Sequence, residues 1–210
     1  MKVKIAVIQA STQIARNQLL FDETKRAAKT AEVINFGVNE REENFSYVQI
    51  ALCVGLLLNS GAVDFVVTGC SSGNGMAIAC NALPQVICGY LPTPTDAFLF
   101  GRINQGNCAS LLLGLNFGWA GEVNLRFTLE KLFETPMNTG YPQASAQRKK
   151  KDAEKLKMMK SLASTDIISI FTGLSDAFVR PIFEKKELMH FIIENGTQRE
   201  CIAFLRTKIV

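Results

Sequence analysis

The chain has 210 residues, 48% of them hydrophobic and 20% charged, with a formal net charge of +4. This excludes an intrinsically disordered or fibrous chain and leaves room for a sizeable core in one domain, or one domain with an appendage. The longest apolar runs, such as residues 50–58, fall well short of the roughly 20 residues that span a bilayer, so no membrane partner is expected and a cytoplasmic location is.

Val3–Ile8 alternates and reads as a first strand rather than a signal peptide, because no small-residue cleavage site follows an apolar core. Residues 15–31 read as a helix and Glu32–Phe36 as a second strand. Apolar residues at 47, 50, 51, 54, 57 and 58 give the stripe of an amphipathic helix. Val63–Val67 is a third strand, Gly75–Ala82 a short helix and Val86–Tyr90 a fourth strand. Thr95–Ile103 follows as a helix and Ala109–Leu113 as a fifth strand. Glu122–Glu134 is a closing helix, stopped by Thr135-Pro136. Short apolar strands alternating with helices predict a parallel sheet covered on both faces. Ligands of such sheets bind beyond the carboxyl ends of the strands, near a topological switch point.

After Pro136 the character changes. A turn cluster at 138–142 leads into a charged helix over 143–163, and 164–210 holds apolar segments read as an extension of mixed helix and strand. The expected division is therefore a core over 1–136, a turn and basic helix over 137–163, and an extension over 164–210 packed on the core or on a partner subunit. The basic run Arg148-Lys149-Lys150-Lys151, with lysines at 155, 157 and 160, reads as a solvated helix face. A nucleic-acid partner would need a broader patch with stacking aromatics and is not expected.

Six cysteines stand at 53, 70, 80, 88, 108 and 201, with no CxxC pair, and His190 is the single histidine. Reduced thiols are expected, and a metal site is not. His190 reads as a packed or surface residue of the extension.

The stretch Thr68–Asn81, TGCSSGNGMAIACN, follows the third strand and opens a helix. Gly73 and Gly75 permit tight backbone geometry, and amides at a helix start can hold an anion. Ser71 and Asn74 lie in the same turn. The element matches neither the Walker A pattern nor the full GxGxxG fingerprint, because position 78 is Ile, and the first turn after the first strand has no glycine. No cofactor is expected.

The run CSSGNGMAIACN resembles the Cys-Gly-Thr-Gly-x-Gly…Ile-Ala-Ala-Asn motif of type B ribose-5-phosphate isomerases and galactose-6-phosphate isomerase subunits. KIAVIQAS sits in the place of that family's first strand and substrate-binding turn, and the resemblance extends over roughly residues 3–150. It implies a three-layer αβα Rossmann-like sandwich on a five-stranded parallel sheet. It also implies an aldose–ketose isomerase working through a cis-enediolate on a phosphorylated pentose or hexose. Cys70 would be the base, Ser72 the hydroxyl that helps move the proton, and the Ser71–Gly75 amides the anion hole. Ser11, Ser71, Gly73, Asn74, Gly75, Asn104, Asn107 and Arg148 would meet the substrate, with Lys149 or Lys151 assisting. The family builds its sites between subunits, so a homodimer or higher homo-oligomer is implied.

Two departures bear on the substrate. The Asp-His pair of the family's first turn is Ala10-Ser11 here, and its ring-opening histidine is Ile103. The alternative is a non-catalytic phosphosugar-binding protein that keeps the anion loop. A nucleotide-dependent enzyme would rest on fold analogy alone and ranks last.

Overall fold

The structure is a computed structural model and describes residues 2–40, 42 and 44–209. Its strands are β1 (Lys4–Val7), β2 (Glu32–Asn35), β3 (Phe65–Cys70), β4 (Cys88–Tyr90) and β5 (Cys108–Leu112), all parallel in the order β2-β1-β3-β5-β4. Its α-helices are α1 (Asn17–Ala27), α2 (Tyr47–Asn59), α3 (Asn74–Asn81), α4 (Pro94–Leu99), α5 (Gly121–Leu132), α6 (Ala146–Ala163), α7 (Ile167–Gly173), α8 (Asp176–Phe183), α9 (Lys186–Asn195) and α10 (Arg199–Arg206).

Alternation along the strands sorts the core into two layers. Ile5, Val7, Phe65 and Val67 face α1, α4 and α5, where Leu20, Ala97, Leu125, Leu129 and Leu132 pack on them. Ala6, Ile8, Val66 and Cys108 face α2 and α3. A three-layer αβα sandwich with a five-stranded parallel sheet is thus the architecture. The chain leaves β1 for β2 on one side and then crosses to place β3 on the other, so the switch point lies between the carboxyl ends of β1 and β3.

Three elements of the core differ from the sequence reading. The helix expected over 15–31 opens as a tight 3-10 turn at Ser11–Arg16, broken at Gln13 (φ −124°, ψ 28°), and becomes α-helical only at Asn17. The third strand runs on to Cys70, because β5 carries the ladder there: Thr68 pairs with Ser110 and Cys70 with Leu112. The helix over 95–103 ends early, at Leu99, and widens into a π-type turn at Phe100–Asn104.

The extension is helical throughout its described residues, four short helices with no strand. Val179, Ile182, Leu188, Met189, Ile192 and Leu205 from it join the same core as α2. This explains why α2 is buried continuously from Gln49 to Asn59 rather than along one stripe. The sheet covers its inner side and the extension its outer side. Ser46 caps α2 in a reciprocal capping box with Gln49, and Gln49 Nε2 then donates to Phe178 O at 2.8 Å, tying α2 to α8. Among the described residues no single helix is long and apolar enough to cross a membrane.

Candidate active site

Cys70 closes β3 at the switch point, and the Gly73 N–H donates to its Sγ at 3.2 Å. Gly73 makes this turn possible. Its φ is +78°, and a Cβ there would stand 2.8 Å from the Tyr90 ring and 3.0 Å from the Leu111 carbonyl. Only glycine adopts that conformation in that space without strain. Its carbonyl accepts from the buried Ser110 hydroxyl at 2.7 Å. The loop is pinned again where Ser71 O accepts from Gly114 N at 3.0 Å and Leu115 N at 2.7 Å. α3 starts immediately afterwards, so the amides of its first turn have no intrahelical acceptor and point back toward the loop.

The turn after β1 forms the facing wall. Ala10 N donates to Gly69 O at 2.9 Å, which fixes the turn beside the end of β3. Gln13 Nε2 donates to Ser71 Oγ at 2.9 Å, and Ser71 Oγ donates to Thr12 Oγ1 at 3.3 Å. The Ser11 hydroxyl oxygen is buried and has no partner among the described residues, and neither has that of Thr68, two residues before Cys70. The Ser72 hydroxyl and the Asn74 amide make no hydrogen bond to another described residue. Unpaired polar atoms collected at a sheet's switch point are what a polar ligand would satisfy.

Several contributors were missed by sequence reasoning. Tyr47, at the start of α2 and 46% exposed, lays its ring 3.5 Å from where a Gly75 Cβ would stand. Gln13 and Ser110 brace the loop, and Arg16 stacks on Phe117 at 4.0 Å with no ion-pair partner among the described residues. None of these lies in the motif, so only the fold brings them in. On the same end of the sheet, a cavity of about 720 Å³ is lined by Asn17, Asn35, Glu42 and Lys185. Asn17 Nδ2 ties it to the site wall through Gln9 Oε1 at 2.6 Å.

The structure divides the expected site residues into two groups. Ser11, Cys70, Ser71, Ser72, Gly73, Asn74 and Gly75 come together at the carboxyl ends of β1 and β3. Asn107 does not join them: Val66 N donates to its carbonyl at 2.9 Å, which places it four residues down the sheet from Cys70, roughly 13 Å at strand spacing. Its side chain is spent bracing the entry to β4, accepting from Ile87 N at 2.9 Å and donating to Gln85 O at 2.8 Å. Asn104 is exposed on the π-type turn just before it. Arg148 lies on α6, which packs on that turn, and pairs with Asp152 at 3.4 Å. His190 is exposed on α9.

The site is thus a thiol and a turn of amides at the switch point of a parallel αβα sheet. A family model described as Ribose/Galactose Isomerase matches residues 5–160. The chain belongs to the ribose/galactose isomerase family. It is 34% identical to a solved 4-deoxy-L-threo-5-hexosulose-uronate ketol-isomerase complexed with a tartrate, over 99% of each chain, with a TM-score of 0.93. It is 32% identical to a ribose-5-phosphate isomerase from Vibrio parahaemolyticus, over 99% of this chain and 100% of that one, with a TM-score of 0.92. The type B ribose 5-phosphate isomerase of Trypanosoma cruzi shares the fold at 21% identity, over 78% of this chain and all of its own, with a TM-score of 0.65. No curated protein matches significantly.

Proposed function

We propose that the enzyme interconverts an aldose and a ketose carrying an anionic group, through a cis-enediolate, with the Cys70 thiolate as base. The thiolate takes the proton from C2 of the aldose, and the C–H electrons form the C1–C2 double bond while negative charge collects on O1. The amides of Ser71–Gly75 and the α3 N-terminus stabilise that charge. The proton returns to C1, O2 gives up its own proton and becomes the carbonyl oxygen, and the Ser72 hydroxyl carries the proton between the two oxygens. No atom is gained or lost. Ser11, Asn74 and Tyr47 hold substrate hydroxyls.

The observation that carries this reading is the placement of Cys70, with its sulfur fixed over the Gly73 amide and unpaired hydroxyls beside it. Asn104 and Arg148 lie away from that thiol within one chain, so they enter the site only from a second copy. A homodimer or higher homo-oligomer with shared sites, as the family resemblance implies, would supply them. Replacement of Cys70 by Ala is expected to lower turnover by about 10²–10⁴-fold, the usual worth of a positioned base, with circular dichroism and melting unchanged. Wild-type turnover in that folded variant would overturn the assignment.

Two anionic ends suit the site. A phosphorylated pentose or hexose follows from the family, and a hexuronate-type carboxylate follows from the 34% identical ketol-isomerase, whose identity to this chain is about that of the ribose-5-phosphate isomerase. The replacement of an Asp-His pair by Ala10-Ser11 favours examining both. Proton exchange at C1 and C2 in deuterated water, followed by NMR across phosphopentoses, phosphohexoses and 5-keto uronates, distinguishes them. Saturable binding with no exchange in any of them would favour a non-catalytic sugar-binding protein.

A further inference from the structure

Three thiols that the isomerase reading does not use meet on the far side of α3. Cys80 lies one residue from the helix's carboxyl end, and Cys88 and Cys108 are register partners at the starts of β4 and β5. Residues 88 and 108 therefore point to the same face of the sheet, the one on which α3 lies. The three sulfurs all fall within 4.8 Å of one another, and Cys80 and Cys108 are fully buried while Cys88 is 8% exposed. The spacing 80–88–108 matches no metal motif. Three separate elements of the fold make the cluster.

We propose that Cys80, Cys88 and Cys108 form a trigonal binding site for a soft monovalent metal ion, copper(I). A trigonal ion with metal–sulfur bonds of about 2.3 Å sets its sulfurs about 4.0 Å apart, so the cluster needs to draw in by less than roughly 1 Å. Zinc takes a fourth ligand, a side chain or a water; among the described residues no fourth Cys, His, Asp or Glu joins the cluster, and its burial disfavours a water there. The Asn81 side-chain amide is committed to the Cys88 backbone on both of its ends, donating to Cys88 O at 2.8 Å and accepting from Cys88 N at 2.9 Å. An all-sulfur, three-coordinate set selects copper(I) among the first-row ions.

Binding of the ion displaces the thiol protons to solvent, so uptake is coupled to proton release. β4 is the edge strand, and Cys88 on it is the one of the three thiols that retains some exposure, 8%.

The test uses the full-length chain, reduced and held without oxygen, titrated against copper(I) bound to bicinchoninate. The wild type is expected to withdraw one equivalent of copper per chain, with thiolate-to-copper charge transfer in the ultraviolet. C88S and C108S are expected to lose that equivalent, whereas C53S and C201S keep it. C70S also keeps it, which separates this site from the proposed base. X-ray absorption of the loaded wild type needs no variant, and is expected to show three sulfurs and no nitrogen or oxygen around the metal. No withdrawal by the folded wild type, retention by folded C88S, or a first shell other than three sulfurs would each overturn the proposal. Because no readout is turnover, these results stand whether or not the isomerase assignment does.

Discussion

The two ends of α3 hold four of the six cysteines in opposite circumstances. At the amino end Cys70 closes β3 beside a turn of glycines and hydroxyls, where Ser11 and Thr68 have no partner among the described residues and Gly73 occupies a conformation that only glycine takes without strain. At the carboxyl end Cys80, Cys88 and Cys108 sit among core residues, and Asn81 satisfies the backbone of Cys88 on both sides. Polar groups left open at the amino end suit the proposed substrate site, and the closed ones at the carboxyl end leave the three sulfurs as the groups free to meet an ion. A thiol's surroundings assign its role better than its presence does.

Substitution of Gly73 by Ala is the strongest way to break the amino end. It forces a Cβ into φ +78° and toward Tyr90 and Leu111, so stability is expected to fall by about 1–3 kcal/mol. Turnover should fall by about 10²-fold as the amide leaves the Cys70 sulfur. Urea unfolding and single-substrate kinetics on one preparation check both. Wild-type turnover in this variant would show that the loop geometry is not needed for the chemistry.

The turn at the amino end was legible in the sequence because its residues are local. Cys70, Ser71, Ser72, Gly73, Asn74 and Gly75 are consecutive, and the turn they require demands glycine, so the motif carries its own structure. The parallel sheet was legible too, from short apolar strands separated by helical spacing. The carboxyl end was not, because Cys80, Cys88 and Cys108 are brought together by the pairing of β4 on β5 and the packing of α3, and neither leaves a spacing to read. The same limit hid Tyr47 and Gln13, and it made the extension look mixed. Its helices are seven to ten residues long, too short for their apolar positions to establish a period. The continuous burial of α2 was hidden for the converse reason, since its second cover is contributed by residues more than a hundred positions later.

Asn81 sharpens the comparison from the other end. Truncation to Ala leaves the Cys88 N–H and carbonyl without their side-chain partners, at an expected cost of about 1–3 kcal/mol, with turnover unchanged. The copper equivalent assigned to the three thiols should bind more weakly, because Asn81 is what seats Cys88 against α3. Thermal unfolding, kinetics and copper competition together separate this from a general loosening. A loss of turnover matching that of the Gly73 variant would mean that the two ends of α3 are coupled rather than distinct.

The smallest expected effect concerns Lys160 of α6, whose ammonium donates to the Asn81 carbonyl at the end of α3. Partial burial lowers its pKa below the ordinary lysine value, which is about 10.4. In the window between the lowered value and the ordinary one, the unfolded chain binds more protons than the folded chain at this site, so the Lys160 contribution to stability rises with pH. The buried thiols act in the opposite sense there, because Cys53 is pushed up to about 12 by burial and stays protonated while its unfolded form ionises. The difference between wild type and Lys160→Met cancels the thiols and isolates the lysine. Urea midpoints at pH 8 and pH 10 are expected to show the wild type gaining slightly relative to the variant. A widening deficit of the wild type instead would mean that Lys160 is stabilised in its charged form by the Asn81 carbonyl and the α3 dipole more than burial disfavours it.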